Sequence, residues 1–135
     1  MSRLDSNICR LQAQRACLNA AAAMIARLPG PVLELGLGNG RSYDHLREIL
    51  PEREIYVFER QVAAHPSCIP DERHLVEGDF RETLPRQRVR LGARAALAHA
   101  DFGTWDQARN RRLAAEITEP LAALMAPGGV IVSDQ

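Results

Sequence analysis

Between Leu4 and Leu28 apolar residues recur at Leu4, Ile8, Leu11, Leu18, Ala22 and Ile25, in steps of four and three interrupted at Arg15. That spacing predicts one long amphipathic helix over residues 3–28, stopped by Pro29 and Gly30. Its apolar stripe is expected to pack against an adjoining sheet. The competing use, a coiled-coil-like dimer seam, would rest on two heptads, which are marginal alone. The apolar run from Leu18 to Ala26 is too short to span a bilayer, so no membrane partner is expected.

Downstream the period changes. The segment PVLELG reads as a short strand that stops at glycine, and Tyr43, Leu46, Ile49 and Leu50 then fall at helical spacing before Pro51. A second strand is expected at Glu54 to Glu59 (EIYVFE) and a shorter third at His74 to Asp79 (HLVEGD). Pro66 and Pro70 mark a loop or broken helix between them. Ala95 to Phe102 (AALAHADF) is read as a fourth strand because it lies between a loop and a Gly-Thr turn, against alanine's preference for helix. Trp105 to Met125 has helical spacing at Ala108, Leu113, Ile117, Leu121 and Leu124, with Pro120 predicting a kink or two helices meeting at Glu119. APGG then makes a tight turn into a fifth strand, VIVSD.

Strands alternating with helices imply right-handed crossovers and a parallel sheet covered on both faces, which is a Rossmann-like doubly wound α/β fold. A chain of 135 residues supports one core, so residues 1–135 are expected to form a single ligand-binding domain.

Composition narrows the chemistry. Seventeen basic residues balance seventeen acidic ones, so no global field attracts nucleic acid, and none is expected as a partner. Every basic residue is arginine, which excludes Schiff-base chemistry and the lysine of a phosphate-binding P-loop. Cys9, Cys17 and Cys68 show neither CxxC spacing nor clustered histidines, so neither a disulfide framework nor zinc is indicated, and a cytoplasmic setting is expected.

In ELGLGNG the glycines Gly36, Gly38 and Gly40 leave strand one and open a helix, letting backbone amides approach a ligand without Cβ obstruction. A dinucleotide fingerprint would put its third glycine where Arg41 stands, which counts against a nicotinamide cofactor. Glu34, two residues before the first glycine, suits an ammonium or sulfonium better than a pyrophosphate. Glu59, ending strand two, is placed to accept hydrogen bonds from both hydroxyls of a ribose.

Taken in order, ELGLGNG, Glu59, the acidic turn EGDF and the APGG turn resemble the class I S-adenosylmethionine-dependent methyltransferase superfamily. The likeness runs from about Pro31 to Asp134, and the layout is also similar to small bacterial methyltransferases of unassigned acceptor. It implies S-adenosyl-L-methionine as cofactor, a sheet of order 3-2-1-4-5, and a cofactor site drawn from Glu34, Gly36, Leu37, Gly38, Gly40, Ser42, Glu59, Arg60, Gly78, Asp79 and Phe80. In it Glu59 would bind the ribose, while Asp79 and Phe80 would flank the adenine.

For the acceptor side the sequence offers His99 and Asp101, two apart and so on one face of an extended strand, as candidate bases for the methyl-accepting group. A structural use competes for each, a buried histidine satisfied by a backbone carbonyl and an aspartate holding a turn. Asp101, Asp134 and Gln135 would suit magnesium or calcium, but the asparagine and second acid of metal-dependent O-methyltransferases are not evident, so no metal is expected. Asp101-Phe102-Gly103-Thr104 replaces the Pro-Pro-aromatic signature of base and glutamine N-methylation, and no cysteine is placed for C5 chemistry. The expected reaction is therefore O- or N-methylation of a small molecule. A non-catalytic cofactor-binding or regulatory module is the alternative.

Complete members of the superfamily have two further strands, so strands six and seven are expected to be absent from this chain. Val130, Ile131 and Val132 would then form an exposed apolar edge unless the chain continues or a partner covers it. A homodimer through that edge or through the first helix is the partner expected.

Overall fold

The Ser2 hydroxyl accepts the Asp5 N–H at 3.0 Å and starts α1, Arg3–Met24, as an N-cap does. The structure, a computed structural model, describes residues 1–134. The helix stops four residues short of the expected Leu28. There the Arg53 guanidinium donates to the Ile25 and Gly30 carbonyls, at 2.7 and 2.8 Å, and holds the chain in the turn that leads to the sheet.

β1 (Val32–Leu35), α2 (Arg41–Ile49), β2 (Ile55–Glu59) and β3 (Leu75–Glu77) follow, with a single 3₁₀ turn at Pro66–Cys68 in the proline-marked loop. Two short helices, α3 (Phe80–Arg86) and α4 (Arg88–Leu91), then occupy a stretch for which no element was expected. Asp79 makes α3 possible by accepting the Arg81 N–H at 2.9 Å. β4 (Ala95–Ala100), α5 (Gln107–Ala122) and β5 (Met125–Ser133) complete the order.

Pro120 neither divides α5 nor ends it. It lies in the last turn, where its missing N–H costs one backbone bond, and the Ala123 N–H still reaches the Glu119 carbonyl at 3.0 Å beyond it. The APGG segment belongs to β5 as a bulge rather than a separate turn: Ala95 is opposite Met125 and Leu97 opposite Val130, so extra residues loop out while the ladder continues.

All pairings are parallel, in the order β3-β2-β1-β4-β5. Alternate side chains of each strand face opposite layers. On one face Leu18, Ala21 and Ile25, with Tyr43 and Leu46 of α2, cover Val32, Val57 and Leu97. On the other Leu84, Leu91, Ile117 and Leu121 cover Leu33, Leu35, Phe58 and Ala98. The second half of the α1 stripe is thus core, whereas Leu4 and Ile8 in its first half are exposed. β5 is an edge strand on which Ile131 is 47% exposed and Val130 and Val132 are half-buried. No helix among the described residues is long and apolar enough to cross a membrane.

Candidate active site

Parallel strands of one sheet end their chains on the same side, so β1, β2 and β4 deliver their following loops to one cleft. Gly36 (φ +92°) leaves β1 so close to the end of β4 that a Cβ there would lie 2.3 Å from the Asp101 carbonyl oxygen. Gly38 (φ +54°) is different: a Cβ there would meet no protein atom within 4 Å and would project into open space. Glu59 ties the loop to strand two, since its Oε2 accepts the Leu37 N–H and, at 3.4 Å, the Gly38 N–H. Gly78 donates its N–H to the Glu59 carbonyl at 3.0 Å, setting the third loop beside the first two.

The cleft between these loops has a volume of about 330 Å³ and is lined by Gly36, Gly38, Glu59, Arg60, Asp79 and Phe80 from the predicted set. Its other wall is Phe102, Thr104, Asn110 and Leu113. Phe80 and Phe102 meet edge to face with centroids 5.5 Å apart, the geometry aromatic rings prefer. The Arg81 N–H, with the Arg81 guanidinium at 3.1 Å, holds the Asp79 carboxyl below the usual range. Asp79 therefore caps α3 and faces the cleft at once.

A smaller cavity of about 190 Å³ continues past Gly36, Leu37, Gly38 and Ser42 to Arg10 and Gln14 of α1. A third, of about 620 Å³, opens beyond Gly103 and Thr104. Asp101 lines all three. β4 ends one residue earlier, at Ala100, so Asp101 stands in the loop rather than within the strand expected to reach Phe102. Gln14 Nε2 donates to its Oδ2 at 2.9 Å and fixes one carboxylate oxygen. Asn110 in turn pins the 101–106 loop, accepting from the Thr104 N–H and hydroxyl at 3.0 and 2.9 Å and donating to the Thr104 carbonyl at 2.8 Å.

Glu34 and His99 lie behind this surface. They are register partners on β1 and β4, so their side chains emerge on the same face, under α1 and α2. His99 Nδ1 and Glu34 Oε1 are 2.5 Å apart, with Glu34 fully buried and His99 3% exposed. Burial pushes the Glu34 carboxyl up, and the bond to His99 offsets only part of that. Burial alone would lower the imidazole; the Glu34 bond, with the charges of Glu34, Asp101 and Asp134, outweighs it, and His99 is raised above 6.5. The pair therefore keeps its proton tightly. Neither residue presents an atom to the cleft, where Glu34 was expected beside the cofactor and His99 beside the acceptor, because α1 and α2 cover the face on which both side chains emerge. Gly40 likewise serves as the residue that enters α2.

The model of the S-adenosyl-L-methionine methyltransferase family matches residues 1–135. The chain belongs to this family. It is similar to the crystal structure of an S-adenosyl-L-methionine methyl transferase from Silicibacter pomeroyi DSS-3, with 53% identity, a TM-score of 0.92, and coverage of 98% of this chain and 82% of that one. No curated protein matches at a significant level.

For a methyltransferase of this family the cofactor is S-adenosyl-L-methionine. The residues present fit it: an accessible carboxylate on Glu59, two phenylalanine rings, and the open approach at Gly38 suit an adenosine. Among the described residues no group of three His, Cys, Asp or Glu side chains is placed to hold a metal ion, and Gln135, considered as a ligand above, lies outside them. Arg10, Gln14, Phe102 and Asn110 were missed in the sequence reading. Arg10 and Gln14, four apart on the polar side of α1, were the signal available.

Proposed function

We propose that this methyltransferase transfers a methyl group to oxygen or nitrogen of a small molecule, with Asp101 as the base and residues 1–135 acting as one cofactor-binding domain. The carrying observation is the position of Asp101 where three cavities meet, with one oxygen held by Gln14 and the other left for a ligand.

In this reading the adenosine lies in the 330 Å³ cleft, with Glu59 on the ribose and Asp79 and Phe80 at the adenine, and the methionine end runs past Gly36, Leu37, Gly38 and Ser42 toward Gln14. When bound, S-adenosylmethionine supplies an electrophilic methyl whose sulfur departs as a neutral thioether. Asp101 takes the proton released by the acceptor's O–H or N–H as the new bond to carbon forms. Glu34 and His99 position rather than react, stiffening the ends of β1 and β4 from behind. A small acceptor fits a chain with equal numbers of acids and bases and no polybasic tract. Three unpaired cysteines fit a reducing, cytoplasmic compartment.

The test is transfer of labelled methyl to a panel of small acceptors. Asp101→Asn is expected to lower kcat about 100-fold or more, while S-adenosylhomocysteine affinity stays within a few-fold of wild type. An unchanged kcat would remove Asp101 from the chemistry.

A further inference from the structure

The 620 Å³ cavity beyond Asp101 is larger than the adenosine cleft, and two helices, α1 and α5, contribute to its lining. α1 contributes Arg10, and α5 contributes Gln107 and Arg111, one turn apart on the same side of the helix. Among the described residues the arginines in ion pairs are Arg47, Arg73 and Arg81, and neither Arg10 nor Arg111 is in one. Arg10 donates to the neutral Asn7 Oδ1 at 3.0 Å, which leaves its charge intact.

The sequence of α5 points the same way. Its first turn holds no acid, and Arg109, Arg111 and Arg112 fall within its first two turns. Cations there oppose the helix dipole, so helix stability does not account for them. Asp101 lines the same cavity, so a cation and the methyl-transfer position share one space.

We propose that the acceptor is a small molecule bearing an anionic group, a carboxylate or a phosphate, which Arg111 holds while the nucleophilic atom reaches Asp101. This deepens the methyltransferase reading of the same site and rests on it. Asp101 repels an anion and Arg111 attracts it, which favours the acceptor's anionic group at Arg111. Arg111, with a planar five-donor fork, matches either anion.

The experiment uses the full chain saturated with S-adenosylhomocysteine, measured by thermal shift after calorimetry has established that this ligand binds. Failure at that first step overturns the cofactor-site reading, and the anion proposal falls with it. Benzoate and inorganic phosphate are then added, with neutral benzamide as control. The expected result is a rise in Tm of about 2 °C or more with at least one anion, none with benzamide, and loss of that rise in Arg111→Gln. Arg112→Gln, on the same helix but outside the cavity, should keep the rise, and Arg111→Gln should still bind S-adenosylhomocysteine, which shows that it is folded. No rise with either anion in wild type, an equal rise with benzamide, or a rise retained in Arg111→Gln overturns the proposal.

Discussion

His99 Nδ1 reaches Glu34 Oε1 at 2.5 Å across neighbouring parallel strands, in a layer where both side chains are closed off from water. Glu34 Oε2 has no hydrogen-bond partner among the described residues, although the Ser42 side chain is near enough to lower the carboxyl's pKa in part. The pair is thus a buried acid and base whose partnership is incomplete on one side, and its protonation should be visible in the stability of the whole chain.

The folded-state pKa of His99 is above its unfolded value of 6.5, so its contribution is fully present below pH 6.5 and is lost as pH rises through the folded value. Glu34 is also raised, from 4.5, and acts in the same direction. Denaturant unfolding should therefore give lower stability at pH 9 than at pH 6, with the difference reduced in His99→Gln. A stability that climbs between those pH values only in wild type would contradict the pairing.

Removing one partner strands the other. His99→Leu alone leaves a buried carboxyl without its base and should cost about 3–5 kcal/mol in urea unfolding. Glu34→Leu/His99→Leu should cost less than the sum of the two single changes, because no charge remains to be buried. Strict additivity would show that the two side chains do not act together.

The two loop glycines separate folding from binding. Gly36→Ala puts a Cβ against the Asp101 carbonyl and should lower Tm sharply and weaken binding as a consequence. Gly38→Ala meets no protein atom, so Tm should change little beyond a left-handed backbone cost of about 1 kcal/mol, while S-adenosylhomocysteine affinity falls because the new methyl enters the cleft. Equal behaviour of the two variants in paired melting and calorimetry experiments would go against this division.

Much of this fold was legible because parallel strands buried on both faces read as apolar runs, and β1 and β2 are of that kind. The glycine loop and Glu59 were legible for the same local reason: a strand ends, and the residues after it have a recognisable order. The short helices α3 and α4 were not, since Pro85 and a string of arginines hid the spacing of Phe80, Leu84 and Leu91. The burial of Glu34 and His99 depends on β1 and β4 being neighbours although 65 residues separate the two side chains, and on α1 covering that face. Gln14 reaches Asp101 across 87 residues of chain, a relation that only packing creates.

Calorimetric titration of S-adenosylhomocysteine into wild type and Glu59→Ala shows whether the cofactor binds where Glu59 meets the glycine loop. Loss of hydrogen bonds to a charged group is worth about 1.5–3 kcal/mol, so wild type should bind clearly and the variant about 10- to 100-fold more weakly. Equal affinity for the two proteins, both folded, would contradict it.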